Sequence, residues 1–74
     1  MKEFNMRLVG ERIKELRKAA GISQVSLAEK IGVHQNTLSQ YENGTSKMSI
    51  EVLFSLAIAL DTTTDYLLGL NDEG

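Results

Sequence analysis

An all-helical domain is the fold class this sequence predicts, and three observations carry that reading. The 74 residues include no proline and lack both the β-branched runs and the strict apolar-polar alternation that mark strands. Apolar residues recur instead three and four apart. Glycines 21, 32 and 44 each fall just behind such a segment, where a helix closes on a residue able to take a positive φ.

Val9, Ile13, Leu16 and Ala20 lie at i, i+4, i+7 and i+11 and form the inner stripe of a first helix, whose other face carries Glu11, Arg12, Lys14, Glu15 and Lys18. Gly21 ends it, and Ile22 supplies the apolar contact beyond the cap. Ser23 caps a short second helix from Gln24 to Ile31, with Leu27, Ala28 and Ile31 inward and Gly32 as its stop. A third helix spans about Gln35 to Glu42, burying Leu38 and Tyr41, before the turn at Asn43-Gly44. After a polar loop over 44–49, Ile50, Leu53, Leu56, Ala57 and Leu60 mark a fourth, strongly apolar helix, the expected hub of the core. Thr62 to Thr64 offer caps for a last short helix, Asp65 to Leu68. From Gly69 the chain should fray, leaving 71–74 as a disordered tail. With no internal repeat or linker, 1–74 reads as a single domain.

Packing alone must stabilise a fold this small, because there is no cysteine for a disulfide or a thiolate metal site. Residues 1–7 lack the apolar stretch of a signal peptide. The most apolar run, 52–60, falls far short of the roughly 20 residues a membrane span needs. The expected location is the cytoplasm, with no membrane partner. Net charge is −2, yet residues 1–47 hold all eight basic residues against five acids, a balance of +3, whereas 48–74 hold five acids and no base. One end suits phosphate and the other does not. With one histidine, no glycine-rich phosphate loop and no paired carboxylates in a plausible cleft, no catalytic residue, cofactor, metal or small-molecule ligand is expected.

The informative unit is residues 23–44, two short helices joined through Gly32-Val33, a corner tight enough to offer the second of them outward. On that helix Gln35, Asn36, Ser39, Gln40 and Asn43 recur on the outer face, all polar and uncharged. A merely solvated face usually carries lysine and glutamate, whereas side-chain amides donate and accept together and match the base edges of the major groove. Gln35, Asn36, Ser39 and Gln40 are therefore the candidate base readers. Phosphate contacts are expected from Gln24 at the start of the second helix and from Asn43, Thr45, Ser46 and Lys47 behind the third. Arg17 can reach phosphate as well or pair with Glu42, tying the first helix to the third, and the two roles can coexist.

Ser23-Gln24, Leu27-Ala28, Gly32-Val33 and Tyr41-Glu42-Asn43-Gly44 together resemble the Cro/C1-type (XRE) helix-turn-helix family. So do residues 10–17, which resemble that family's first helix, and 65–69, which resemble its ending. The resemblance implies a five-helix, phage-repressor-like DNA-binding domain whose second and third helices form the helix-turn-helix. It also implies base reading by Gln35, Asn36, Ser39 and Gln40, a phosphate contact from Gln24, and an internal ion pair between Arg17 and Glu42. The chain departs from the pattern at His34, where a Ser or Thr cap is usual and imidazole caps poorly. Ser26 replaces a frequent glutamate and weakens the reciprocal capping box at Ser23. Ser55 and Ile58 stand where lysine is common, so that Ile58 shares an outward stripe with Glu51.

The function expected from these residues is sequence-specific binding of double-stranded DNA by a bacterial or phage transcriptional regulator. A repressor seated as a dimer on a palindromic operator fits best, since one small domain reads only a few base pairs. Phe54, Ile58, Tyr66, Leu67 and Leu70 are the candidate dimer patch, with burial under the C-terminal tail as the competing explanation for Ile58. The alternative function is a helix-turn-helix protein-interaction module, an antitoxin or antirepressor, whose acidic C-terminal third meets a basic protein.

Overall fold

The computed structural model describes residues 3–72. Five helices follow one another: α1 (Met6–Ala19), α2 (Gln24–Ile31), α3 (Gln35–Asn43), α4 (Ile50–Ala59) and α5 (Thr64–Leu68). There is no strand among the described residues.

Side-chain caps start four of the five helices. Ser23, Ser49 and Thr63 each accept the amide three residues on, at 3.0 to 3.1 Å. Asn5, a cap that the apolar stripe alone did not reveal, accepts the amides of Arg7 and Leu8. His34 begins α3 with extended backbone and no side-chain cap bond, in keeping with its departure from the family pattern. The stops behave as the glycine spacing predicts. Gly32 adopts φ 74°, and the Val33 amide reaches back to the Ala28 carbonyl at 3.0 Å, so α2 ends abruptly and α3 starts within three residues.

Val9, Ile13, Leu27, Ala28, Ile31, Leu38, Tyr41, Leu53, Leu56, Ala57, Leu60 and Leu67 form one buried cluster. The main pairings are α1 with α3 and α5, α2 with α3 and α4, and α4 with α5. The buried cluster draws on all five helices and the most extensive pairing is α1 with α3, so α4, which packs on α2 and α5, is not the hub expected from its composition. Two other expectations fail for local reasons. Ala20 is exposed because α1 ends at Ala19 and the stripe runs past it. Ile50, the first residue of α4, is 79% exposed and borders a surface hollow lined by Phe4, Met48 and Leu68.

Gly10 brings α1 down onto α3. A Cβ at that position would stand 2.3 Å from the Tyr41 carbonyl oxygen and 2.5 Å from that of Glu42, well inside contact distance. No other residue type fits without moving one helix. Thr63, not its neighbours, caps α5, and the buried Thr62 hydroxyl has no hydrogen-bond partner among the described residues. Residues 69–72, expected to fray, are hydrogen-bonded: the Leu70 and Asn71 amides both donate to the Asp65 carbonyl. Residues 73–74, the rest of the tail expected to be disordered, lie outside the described ones. None of the helices described is long and apolar enough to cross a membrane.

Candidate nucleic-acid interface

The outer side of α3 carries its side-chain amides where the sequence places them. Gln35, Asn36, Gln40 and Asn43 are exposed and Ser39 is half-buried, while Leu38 and Tyr41 point into the core. The opposing faces follow from helical periodicity. Burying Leu38 and Tyr41, three apart, turns residues 35, 36, 39, 40 and 43 toward solvent.

Behind that face lies a connected set of polar groups. Glu42 on α3 is 4% exposed, and its carboxylate accepts three hydrogen bonds. Arg17 donates from Nε to Oε2 at 2.7 Å and from Nη2 to Oε1 at 3.1 Å, and Gln24 donates from Nε2 to Oε1 at 3.1 Å. Arg17 also donates from Nη1 to the Ile22 carbonyl at 3.0 Å. A carboxylate this deep is tolerated only because it is paired and fully hydrogen-bonded. The bonds to Glu42 hold the Arg17 guanidinium above its ordinary range, against the opposing effect of burial.

The chain of contacts continues outward. Gln24 Oε1 accepts from Gln35 Nε2 at 3.4 Å, so the first amide of α3 is steered by the first residue of α2. Arg17, Glu42, Gln24 and Gln35 thereby link the interior of α1 to the exposed start of α3. Sequence reasoning anticipated the two ends of this relay and missed its middle. The signal was present, since Gln24 and Gln35 each open one of two helices separated by a three-residue turn.

Among the phosphate candidates, Arg17 is drawn inward. Its Nε, Nη1 and Nη2 each donate one bond inside the fold and its side chain is 11% exposed, which is the pairing with Glu42 that the sequence offered beside a phosphate role. Lys47 and Thr45 are exposed and Ser46 half-buried in the loop after α3, with Thr45 Oγ1 donating to the Gln40 carbonyl. Among the dimer candidates, Leu67 is corrected: it is 0% exposed, because it is the residue through which the short α5 anchors in the core. Tyr66 is half-buried beneath Arg12. Phe54, Ile58 and Leu70 are exposed. Sequence reasoning overlooked Phe4 and Ile50, exposed apolar residues that border two adjoining hollows on the side of Leu68 and Leu70.

A family model described as Helix-turn-helix matches residues 13–67. Among curated proteins, the uncharacterized HTH-type transcriptional regulator YobD of Bacillus subtilis is 38% identical over 63 residues, covering 85% of this chain and 56% of that protein. The chain spans about half the length, or less, of the first curated relatives it matches. Among solved structures, the c2 repressor of Salmonella phage P22 in complex with synthetic operator 9T is similar at a TM-score of 0.82 and 38% identity, over 86% of this chain and 97% of that one. SinR, a master regulator for biofilm formation solved in complex with DNA, gives 0.74 and 41% over 81% and 97%.

Proposed function

The chain belongs to the Cro/C1-type (XRE) helix-turn-helix family of transcriptional regulators, and from that premise we propose that it reads a specific sequence in double-stranded DNA by laying α3 in the major groove. The observation that carries this reading is the uncharged amide face of α3, fixed from behind by the buried Arg17–Glu42 pair and steered at its start by Gln24. Gln35, Asn36, Ser39 and Gln40 contact base edges. Gln24 turns its remaining amide N–H toward phosphate, and Asn43, Thr45, Ser46 and Lys47 hold the backbone at the other end of α3. The P22 c2 repressor solved in complex with synthetic operator 9T and SinR solved in complex with DNA support the reading that the partner is DNA.

Two copies bind an inverted repeat, and occupancy represses transcription in the cytoplasm. The surface with Phe4, Ile50 and Leu70 supports the dimer, since exposed apolar side chains gathered around adjoining hollows, next to Lys47 and Met48, would place the two-fold axis beside the DNA-facing loop. Selection of duplexes from a random library at physiological salt tests the proposal. We expect an inverted repeat with half-sites about one helical turn apart, lost when Gln35→Ala and Asn36→Ala are combined. No enrichment by the unmodified chain would move the reading to a protein partner.

A further inference from the structure

Arg7 stands in the first turn of α1, and none of the contacts described above uses its side chain. It is exposed, and it enters neither the Arg12–Asp72 pair nor the Arg17–Glu42 pair. A cation is unfavourable at this end of a helix, because the first turn already carries the positive end of the helix dipole. No acidic residue in that turn offsets it. The backbone does not supply the reason either, since Asn5 Oδ1 accepts the amides of Arg7 and Leu8 at 3.0 and 3.3 Å. What this turn leaves open to an anion is the Arg7 side chain.

Its place is fixed by Gly44. That glycine closes α3 at φ 74°, and a Cβ on it would stand 2.7 Å from Arg7 Cα and 3.2 Å from Arg7 Cβ. The first turn of α1 therefore lies directly on the end of α3, with the root of the Arg7 side chain against the residue that follows Asn43. Met6, beside Arg7, borders the same hollow as Lys47. Lys47 too is exposed and enters neither ion pair. Two cations without a carboxylate partner thus flank a face of neutral amides, an arrangement that matches phosphates on either side of base edges.

We propose that Arg7 is a phosphate contact: with α3 in the major groove, its guanidinium holds the sugar-phosphate backbone beside the end of that helix, together with Asn43 and Lys47. The inference rests on the reading of α3 given above and adds to it a residue from a different helix. Arg7 positions and does not specify, so it raises affinity for any sequence alike. Bound phosphate also neutralises the cation that the free chain carries at the wrong end of α1.

Titrations of the 74-residue chain with the selected duplex and with random DNA over a range of salt, alongside thermal unfolding, test it. Arg7→Gln is expected to weaken both duplexes alike, about fivefold at physiological salt, and to lower the salt slope by about one. Its melting temperature should hold or rise, because a cation has left the positive end of α1. Arg7→Lys, which keeps the charge, retains the slope. Lys47→Ala separates this inference from the reading beneath it. If Lys47→Ala lowers the slope and Arg7→Gln changes neither slope nor affinity, the reading stands and the role of Arg7 is overturned. If neither substitution alters the slope, this edge of the molecule does not meet DNA and the inference falls with that placement. A loss confined to the selected duplex would make Arg7 a base reader, and a loss of affinity that accompanies a loss of stability would make it a structural residue. Either result overturns the proposal.

Discussion

Two arginines five residues apart on α1 tie that helix to different parts of the chain, Arg17 to the end of α3 and Arg12 to the residues that follow α5, and they do so by different physics. Arg17 meets Glu42, a carboxylate whose side chain is 1% exposed, whereas Arg12 meets Asp72, whose side chain is 82% exposed, together with the backbone carbonyls of Tyr66 and Asn71. Both ion pairs are short, at 2.7 and 2.9 Å. Distance is therefore no guide to their worth. Around Glu42 there is little water to replace a missing partner, so the pair is costly to break and insensitive to salt. Around Asp72 water competes at every moment, and what remains of the Arg12 clamp lies in the carbonyls and the Tyr66 ring.

The contrast is sharpest in Glu42→Gln. Removing the charge strands the Arg17 guanidinium in a poorly solvated site, and we expect a loss of about 3 kcal/mol in urea-unfolding stability. A loss no greater than that of a surface substitution would break the comparison at its strong end. Gly10→Ala tests the same region through packing alone. With a methyl forced against the Tyr41 and Glu42 carbonyls, α1 must lift from α3, at a cost of about 2 kcal/mol by thermal unfolding. The altered crossing also shifts Glu42, so DNA affinity should fall in parallel with stability.

At the other end the expected effects are smaller. Arg12→Gln removes charge-assisted bonds to two carbonyls and the stacking on Tyr66, for a stability loss of about 1 to 2 kcal/mol. Asp72→Asn should cost about 0.5 kcal/mol or less, and less still in high salt. A deficit for Asp72→Asn that survived high salt would mean the exposed pair behaves like the buried one, and the distinction drawn from burial would fail.

The same difference in environment explains what the sequence reveals and what it conceals. Helix stops and starts are written locally: Gly32 and Gly44 close α2 and α3, and Ser23, Ser49 and Thr63 open three helices through bonds to amides three residues on. The inward stripes of α2 and α3 are equally local, since periodicity alone separates Leu38 and Tyr41 from Gln35, Asn36 and Gln40. Contacts between distant segments are not written in this way. Nothing near Gly10 in sequence announces that the end of α3 will lie on it, and nothing near Arg12 announces residues 66–72. Leu67 and Ile50 show the converse error. Each is one apolar residue at a helical position, and only the packing of α5 buries the first while the hollow beside α4 exposes the second. The Arg17–Glu42 pair was legible because opposite charges at matching motif positions are part of the family pattern. Gln24 and Gln35 stand out as DNA contacts, but without charge nothing in the sequence pairs them with Glu42 or with each other.

The most direct test of the central claim is to compare affinities for the selected duplex and for random DNA across Gln35→Ala, Asn36→Ala and Lys47→Ala, each at two salt concentrations. If α3 reads bases through its amides, the first two changes each cost about 1 to 3 kcal/mol on the selected duplex and little on random DNA. Lys47→Ala then weakens both alike and lowers the salt slope by about one. Equal losses on both duplexes for all three variants would contradict the assignment of α3 as the reading helix.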